Sequence, residues 1–216
     1  MNKLDEDFLK RKYGETKILV INNSKLFGIL NKANFNDCFY PSNDTEALDK
    51  VVKNGQYMLR YKAENDNNFK QPIPYVIFRK KESGMLFCME RISGDSRLIG
   101  KKSLGVGGHV DNDEGIKSGL YREIYEEVGL EKKEINSLKF LGFILDESND
   151  VGSVHLGLLF VAEIDENMDL QCREKDTLRG FFASRQELEN YSVNNQLETW
   201  SVIALNYIKG EWIDKN

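Results

Sequence analysis

The chain has 216 residues, of which 40% are hydrophobic and 30% are charged. This composition predicts a globular protein with one large domain, or one domain with a small attached piece, and enough apolar residues for a sizeable core. Thirty basic and 35 acidic residues give a net charge of -5, which excludes a broad attraction to nucleic acid or to an anionic membrane. A ligand that carries phosphates would therefore need local arginines, lysines or a metal ion.

Cysteine usage and the N-terminal residues both indicate a cytoplasmic protein. Cys38, Cys88 and Cys172 are far apart and form no CxxC pair, as expected for free thiols in a reducing compartment. The N-terminal segment MNKLDEDFLKRK is charged and has no apolar stretch typical of a signal peptide. No apolar run approaches the roughly 20 residues of a membrane span.

The first part of the chain reads as a small α+β segment. A charged helix is predicted from residue 1 to about 13, and residues 17–30 (KILVINNSKLFGIL) read as two strands around an Asn-Asn-Ser turn. A helix over 45–55 would end at Gly55, and a strand over 56–61 would follow. The polar stretch KAENDNNFKQP is the best candidate boundary. We therefore predict an N-terminal α+β extension over 1–70 and a main domain over 71–216.

The rest of the chain alternates strands with a few helices, which predicts an α/β or α+β domain. The predicted strands are 74–80, 84–91, 139–147, 153–164 and 178–184. Helices are predicted over about 115–128, 184–190 and 197–210, with a capping box between Ser184 and Glu187. The segment SLGVGGHV (103–110) is rich in glycine but apolar at alternate positions.

The predicted helix ending in REIYEEVGL (122–130) carries an unusual concentration of glutamates. Residues three and four apart share a helix face, so Glu123, Glu126 and Glu127 project into one small region. Such like charges cost about 0.2–0.5 kcal/mol per pair, and Arg122 can offset only part of this. Two interpretations follow: a solvated acidic face, or a site for a divalent cation such as Mg²⁺ or Mn²⁺, which prefers oxygen ligands.

Residues upstream of this helix favour the cation site. The stretch GHVDNDEGIKSGLYREIYEEVGL (108–130) has the form G-x5-E-x7-R-E-U-x-E-E-x-G-U, in which U is apolar. Every specified position is met, namely by Gly108, Glu114, Arg122, Glu123, Ile124, Glu126, Glu127, Gly129 and Leu130. This stretch resembles the Nudix box, the signature of the Nudix hydrolases. The resemblance implies a Nudix-like α/β/α sandwich around a mixed sheet, over about 72–212.

The resemblance further implies hydrolysis of a diphosphate linked to another group, assisted by Mg²⁺ or Mn²⁺. Glu126 and Glu127 match the principal metal ligands of the family, and Glu123 matches a further ligand that also handles the proton in some members. Gly107 precedes the glycine of the box, and by resemblance its backbone carbonyl would complete the metal shell.

The remaining positions of the box match supporting residues. Arg122 matches the residue that orients the carboxylates. Glu114 matches a supporting acid near the start of the helix, although a favourable interaction with the helix dipole would also explain it. Gly108 would allow close approach of the loop, and Gly129 would end the helix in a left-handed conformation.

The general base is not fixed by the box. In the family it often comes from a carboxylate on a later loop, and Glu174, in CREKDTLRGFF, is the first candidate. Asp176, Glu163 and Glu147 are alternatives, and each of them taken singly also reads as a surface acid.

Phosphate-binding residues should be basic and should lie on strands or loops near the box. Arg91 and Arg79 are the first candidates for substrate binding. Arg97 and Lys101 follow them, and an ordinary exposed charge is the alternative for each of the four.

The sequence departs from many Nudix enzymes just before the box, where SLGVGGHV has neither tryptophan nor proline. This segment, together with EN…FKQPIPYVIF (64–78), resembles a subgroup of predicted phosphoesterases. His109 either contacts the substrate or is a hydrogen-bonded loop histidine. His155 lies in an apolar strand and is expected to be structural. With two histidines and dispersed cysteines, we expect no zinc site.

The leading hypothesis is a pyrophosphohydrolase that cleaves a nucleoside diphosphate-linked or similar small metabolite. The alternative is a catalytically weak module of the same fold that senses a nucleotide or sugar diphosphate, although such modules usually lose glutamates of the box. An isoprenyl diphosphate isomerase is disfavoured because the chain has few histidines. We expect a small-molecule partner, no nucleic acid and no membrane, and either a monomer or a homodimer.

Overall fold

The computed structural model describes residues 5–42, 45–94, 99–112 and 114–212, with side chains through residue 208. The helices are α1 (Glu6–Tyr13), α2 (Asn23–Ile29), α3 (Thr45–Lys53), α4 (Arg60–Ala63), α5 (Ile116–Val128), α6 (Arg185–Val193) and α7 (Thr199–Trp212). The strands are β1 (Lys17–Asn22), β2 (Phe39–Pro41), β3 (Gln56–Leu59), β4 (Phe69–Lys80), β5 (Leu86–Arg91), β6 (Lys102–Ser103), β7 (Gly105–Gly107), β8 (Ser137–Ile144), β9 (His155–Ile164) and β10 (Leu178–Ala183). The fold is of the α/β class, a mixed sheet with helices, as the sequence predicts.

Hydrogen bonding places six strands in the order β10-β5-β4-β9-β8-β2. The pairing of β5 with β10 is antiparallel and extends from Leu86↔Ala183 to Arg91↔Leu178. The short strand β7 pairs antiparallel with β4, so that Gly107 lies opposite Tyr75. The strand that carries the Gly-rich segment is thereby fixed to the sheet directly before the predicted box begins.

The chain divides into two compact units. The first comprises residues 1–74, 108–119 and 140–158, and the second comprises 75–107, 120–139 and 159–216. The boundary near residue 70 stays a prediction. None of the helices among the described residues is both long and apolar enough to cross a membrane.

Each unit has its own buried apolar residues. In the first unit, Ile18 and Val20 of β1 pack with Ala63 of α4, and Met58 and Phe69 cover them. In the second unit, Leu86, Phe87 and Cys88 of β5 are buried, as are Leu120 and Ile124 of α5. The apolar face predicted for the glutamate-bearing helix is therefore confirmed, and its burial fixes which face carries the glutamates.

The prediction of two strands over 17–30 was wrong in its second half. The chain forms β1 and then turns directly into α2, because the Asn22 side chain accepts a hydrogen bond from the backbone N–H of Ser24, at 2.9 Å. An asparagine at this position caps a helix as readily as it starts a turn, and the residues that follow decide between the two.

Three smaller differences concern where elements begin and end. The strand predicted over 56–61 ends at Leu59, and α4 follows. The polar stretch before residue 72 ends earlier than predicted, because β4 already begins at Phe69. Strand β2 was not predicted; it follows a tight turn in which Asp37 and Cys38 both have positive φ. The capping box at Ser184 is confirmed.

Candidate metal centre

Helix α5 brings the glutamates and the arginine of the box motif together on one face. The Arg122 guanidinium donates from Nη1 to Glu123 Oε1 at 2.7 Å and to Glu126 Oε2 at 3.1 Å. The side chain of Glu123 is 15% exposed, whereas that of Glu126 is 55% exposed. Arg122 therefore holds two carboxylates of different burial in a fixed relation, and the orienting role that the motif implies stays a prediction.

Glu127 is the most perturbed carboxyl group of the cluster. Burial, followed by the charge of Glu123 and then those of Glu174 and Glu126, raises its pKa to about 7. The backbone N–H of Gly107 donates to the Glu127 carboxylate and partly opposes this rise in pKa. Three neighbouring carboxylates thus act on one largely buried carboxyl group.

The C-terminal end of α5 determines which loop lies beside the cluster. Gly129 has φ of 73°, and its N–H donates to the Tyr125 carbonyl at 3.0 Å, which ends the helix in a left-handed conformation. The Arg173 guanidinium lies 4.3 Å from the centre of the Tyr125 ring, and its Nε would be only 3.1 Å from a Cβ at position 129. The Arg173 N–H also donates to the Glu127 carbonyl at 2.8 Å. Glycine at position 129 therefore allows the left-handed conformation that ends the helix, and its lack of a Cβ leaves room for Arg173 of the neighbouring loop.

Glu174 follows Arg173 directly, so this packing brings Glu174 near Glu127. Its Oε2 accepts a hydrogen bond from Thr177 Oγ1 at 3.0 Å, and its charge contributes to the raised pKa of Glu127. The structure thus places the first-choice base candidate in the electrostatic surroundings of the box glutamates.

Two of the three alternative base candidates, Glu163 and Glu147, have other surroundings. Glu163 accepts from Arg79 Nη2 at 2.8 Å and from Ser137 Oγ at 3.1 Å. Glu147 accepts from Lys32 at 2.6 Å and from Lys70 at 2.9 Å, within the first unit. The backbone carbonyl of Asp176 accepts from Ser93 Oγ at 2.6 Å. Both Glu163 and Glu147 are therefore engaged in ion pairs.

The loop before α5 is organised by Glu114. Its Oε1 accepts from the backbone N–H of Asp111 at 2.8 Å, within the loop that begins at Gly108. A Cβ at position 119 would lie 2.8 Å from the same oxygen, so glycine there leaves room for the Glu114 side chain. Glu114 consequently has a hydrogen bond that shapes the loop at the start of the helix.

The candidate phosphate-binding residues differ in how many of their hydrogen-bond donors already have a partner. Arg79 pairs with Glu163, and the Lys101 ammonium donates to the Asn195 carbonyl. Arg91 has a buried Nε for which the described residues provide no hydrogen-bond partner. Arg97 lies outside the described residues. Of these cations, Arg91 has the clearest unused hydrogen-bonding capacity.

The two histidines lie together in the first unit. His109 Nε2 is 2.7 Å from Gln71 Oε1, and His155 Nδ1 is 2.6 Å from the Val151 carbonyl oxygen. The Nε2 atoms of the two rings are 3.4 Å apart. The sequence did not predict this pair, because 46 residues separate them and no local pattern links a loop residue to the first residue of a distant strand.

The donor set on α5 suits a hard divalent cation. Carboxylate oxygens are the ligands that Mg²⁺ and Mn²⁺ prefer, and Glu123, Glu126 and Glu127 supply them from one helix face. Burial and, after it, the neighbouring negative charges raise the pKa of Glu127, and a bound divalent cation would favour its ionised form. The residues present therefore fit the metal that the motif implies.

These observations define a Nudix domain, and the comparison with family models agrees. The model for the NUDIX domain matches residues 70–200, so the chain belongs to this family. Membership indicates in general a hydrolase that acts on pyrophosphate bonds of nucleoside diphosphate-linked compounds.

Particular relatives support the same assignment. Protein YmaB of Bacillus subtilis is 35% identical over 161 residues, which are 70% of this chain and 77% of YmaB. The crystal structure of Tm1382, described as a candidate Nudix hydrolase, has a TM-score of 0.74 and 28% identity, covering 89% of this chain and 97% of its own.

Two more distant structures share the fold. DR0079 from Deinococcus radiodurans has a TM-score of 0.52 and 13% identity, covering 70% of this chain and 89% of its own. The Nudix domain of NrtR from Shewanella oneidensis, solved in complex with ADP-ribose, has a TM-score of 0.51 and 11% identity, covering 66% and 88% respectively.

Proposed function

We propose that this protein is a Mg²⁺- or Mn²⁺-dependent pyrophosphohydrolase that cleaves the diphosphate bond of a nucleoside diphosphate-linked or similar small metabolite. The observation that carries the proposal is the half-buried Glu127, whose pKa is raised to about 7 in a cluster with Glu123, Glu126 and Glu174. A helix that only exposed an acidic face to solvent would not bury one of its carboxylates among three others.

In this proposal the side chains of α5 hold and orient the metal. Glu126 and Glu127 are the principal ligands and Glu123 is a further ligand, while Arg122 fixes the carboxylates of Glu123 and Glu126 through its two hydrogen bonds. The backbone carbonyl of Gly107 remains a proposed ligand. When bound, the cation would neutralise negative charge on the diphosphate oxygens and orient the scissile group.

Glu174 is the proposed general base. It lies near Glu127 because Arg173 packs against the end of α5, and its hydrogen bond from Thr177 would orient the carboxylate. A carboxylate in this position could take a proton from an attacking water molecule. The ion pairs of Glu163 and Glu147 make those two residues weaker candidates.

Arg91 is the first candidate for binding the phosphates, supported by its buried Nε without a partner among the described residues. Arg79 is a weaker candidate because its guanidinium already pairs with Glu163. A direct role of His109 in substrate binding stays a hypothesis, since its Nε2 contacts Gln71.

The remaining expectations are part of the same proposal. We place the protein in the cytoplasm, an assignment supported by its three free cysteines. The division into an extension over 1–70 and a Nudix domain over 71–216 is retained. A small-molecule diphosphate is the expected partner, and either a monomer or a homodimer is compatible with the proposal.

Hydrolysis of a substrate panel tests the proposal. Purified protein would be incubated with Mg²⁺ or Mn²⁺ and with ADP-ribose, other nucleoside diphosphate sugars, dinucleoside polyphosphates and nucleoside triphosphates, and the products would be separated by anion-exchange chromatography. We expect metal-dependent release of two monophosphates from at least one diphosphate-linked compound. We expect Glu127→Gln to reduce kcat at least 100-fold, because it removes a ligand of the cluster.

Binding without cleavage would favour the second candidate function. A sensing module would bind ADP-ribose or a sugar diphosphate by calorimetry, yet would release no product with either metal. Full activity of both Glu126→Gln and Glu127→Gln would refute the assignment of the metal ligands.

A further inference from the structure

Two histidines and a glutamate form a separate cluster in the first unit. Ligand atoms of Glu64, His109 and His155 all lie within 4.8 Å of one another. Glu64 caps the C-terminal end of α4, His109 lies in the loop after β7, and His155 is the first residue of β9. We propose that these three side chains bind a zinc-like divalent cation, which is independent of the Mg²⁺ or Mn²⁺ proposed for α5.

The hydrogen bond of His155 prepares its ring as a ligand. Nδ1 lies 2.6 Å from the Val151 carbonyl oxygen, which can only accept, so Nδ1 carries the proton. The lone pair of the neutral ring is then on Nε2, which faces His109. Burial lowers the pKa of His155 and supports the neutral form. A backbone carbonyl that fixes the tautomer in this way is a usual partner of a metal-binding histidine.

The spacing of the two rings fits tetrahedral coordination. Two nitrogens bound to zinc at about 2.0–2.1 Å with a tetrahedral angle lie about 3.3–3.4 Å apart. The Nε2 atoms of His109 and His155 are 3.4 Å apart, and their ring planes are inclined by 65°. With the same bond lengths, the 90° angle of an octahedral site would place the two nitrogens about 2.8–3.0 Å apart. Imidazole nitrogens also suit zinc better than Mg²⁺.

Gln71 provides a fourth polar group at the cluster. This side chain is fully buried, and its Oε1 is 2.7 Å from His109 Nε2. The Gln71 Nε2 atom has no hydrogen-bond partner among the described residues. No hydrogen bond from that atom therefore fixes the orientation of the Gln71 amide. If His109 moved its proton to Nδ1, Nε2 would bind the cation and the Gln71 carbonyl would face it as an oxygen donor.

Nearby positive charge limits the affinity. Arg60 Nε donates to Glu64 Oε1 at 3.3 Å, and the charges of both Arg60 and Lys70 act on His155. A carboxylate has two oxygens, so Glu64 can pair with Arg60 through one and bind a cation through the other. We therefore expect weaker binding than at a closed structural zinc site, and a role in joining α4, the loop and β9.

Cobalt binding tests the site without any assay of hydrolysis. Metal-free, full-length protein would be titrated with Co²⁺, which takes the place of zinc and shows a visible absorption band when four-coordinate. We expect a saturable band that Zn²⁺ displaces, together with a rise in Tm on addition of Zn²⁺. Glu64→Gln should weaken binding at least 10-fold, and His155→Gln should remove the band.

Two control variants distinguish cobalt binding at this cluster from binding at the α5 glutamates or at the exposed Cys38 thiol. The double variant Glu126→Gln/Glu127→Gln should retain the cobalt band, and so should Cys38→Ser, which removes the exposed thiol. Circular dichroism would establish that each variant is folded; if His155→Gln were not, the half-buried Glu64→Gln would decide. Absence of the band from the wild type, an unchanged cobalt affinity in Glu64→Gln, or loss of the band from the double variant would overturn the proposal.

Discussion

The replacement of Glu127 by glutamine should stabilise the metal-free protein while removing its proposed function. The pKa of Glu127 is about 7, against an ordinary value of 4.5. At about 1.4 kcal/mol per pKa unit, ionising this group in the folded protein costs about 3 kcal/mol more than in the unfolded chain. The Gly107 N–H can still donate to the amide oxygen of glutamine, so the variant loses the charge but can keep this hydrogen bond.

The sign of the pH dependence follows from linkage. Because the folded-state pKa is raised, the stabilising contribution of this group is complete below pH 4.5 and is lost as the pH rises through about 7. Glutamine cannot lose a proton, so Glu127→Gln should exceed the wild type in the free energy of unfolding by about 3 kcal/mol at pH 8. The difference should approach zero near pH 4.5.

Urea denaturation in the presence of a chelator, repeated at several pH values, measures this difference. Glu126→Gln is the matched control, because it makes the same change on the same helix at a side chain that is 55% exposed. Its stability should follow the wild type within about 0.5 kcal/mol. If Glu127→Gln were no more stable than the wild type at pH 8, or if both variants behaved alike, the crowding argument would be refuted.

Three further substitutions test the fold. Glu147→Gln should cost about 1–2 kcal/mol by urea denaturation, because it removes the charged partner of Lys70, whose side chain is 1% exposed, while solvent screens the 38% exposed Glu147. Burial alone would raise the pKa of Glu147, but the hydrogen bonds from Lys32 and Lys70 lower it on balance, so this contribution should disappear as the pH falls through the lowered pKa. Gly129→Ala should cost about 1–2 kcal/mol, measured in the same way, because φ is 73° and Arg173 packs against the glycine. Ser184→Ala should lower the stability by about 1 kcal/mol, seen as a lower Tm, because it removes the capping box of α6.

The substitutions at Gly129 and Glu147 each have an outcome that would contradict the reasoning behind them. Gly115 has no positive φ and open space around an added Cβ, so Gly115→Ala is the control for position 129 and should be neutral or stabilising. If Gly129→Ala and Gly115→Ala changed the free energy of unfolding equally, the positive φ of Gly129 would not explain the loss of stability. A Glu147→Gln variant as stable as the wild type would mean that Lys70 is satisfied by the Ser153 carbonyl alone.

Local sequence patterns predicted the helix of the site but not its surroundings. The spacing of apolar residues in α5 and the fixed letters of the box are short-range information, and the structure agrees with both the helix and its buried face. The packing of Arg173 on Tyr125 depends on chain segments more than 40 residues apart, and no periodicity reports it. Glu174 could therefore be named as a base candidate, but the reason for its position appeared only in the folded chain.

The wrong prediction of a second strand within residues 17–30 has the same physical origin. Asn22 satisfies backbone groups equally well in a turn or at the start of a helix, so the residues around it could not exclude α2. The expectation of no zinc site rested on the presence of only two histidines and dispersed cysteines; it stays untested, although the fold places the two histidine Nε2 atoms 3.4 Å apart. Residues that are far apart in sequence can lie close together in the folded chain, and the sequence alone does not show which of them do.

Hydrolysis in water enriched in oxygen-18 tests the central claim most directly. The products of a cleaved diphosphate-linked compound would be examined by phosphorus-31 NMR in the presence of Mg²⁺, with the wild type and the Glu126→Gln/Glu127→Gln variant side by side. We expect the wild type to place the heavy oxygen on a monophosphate product only when the metal is present, and the variant to form no labelled product. Labelled product at equal rates from both proteins, or none from the wild type with any compound of the panel, would contradict the claim.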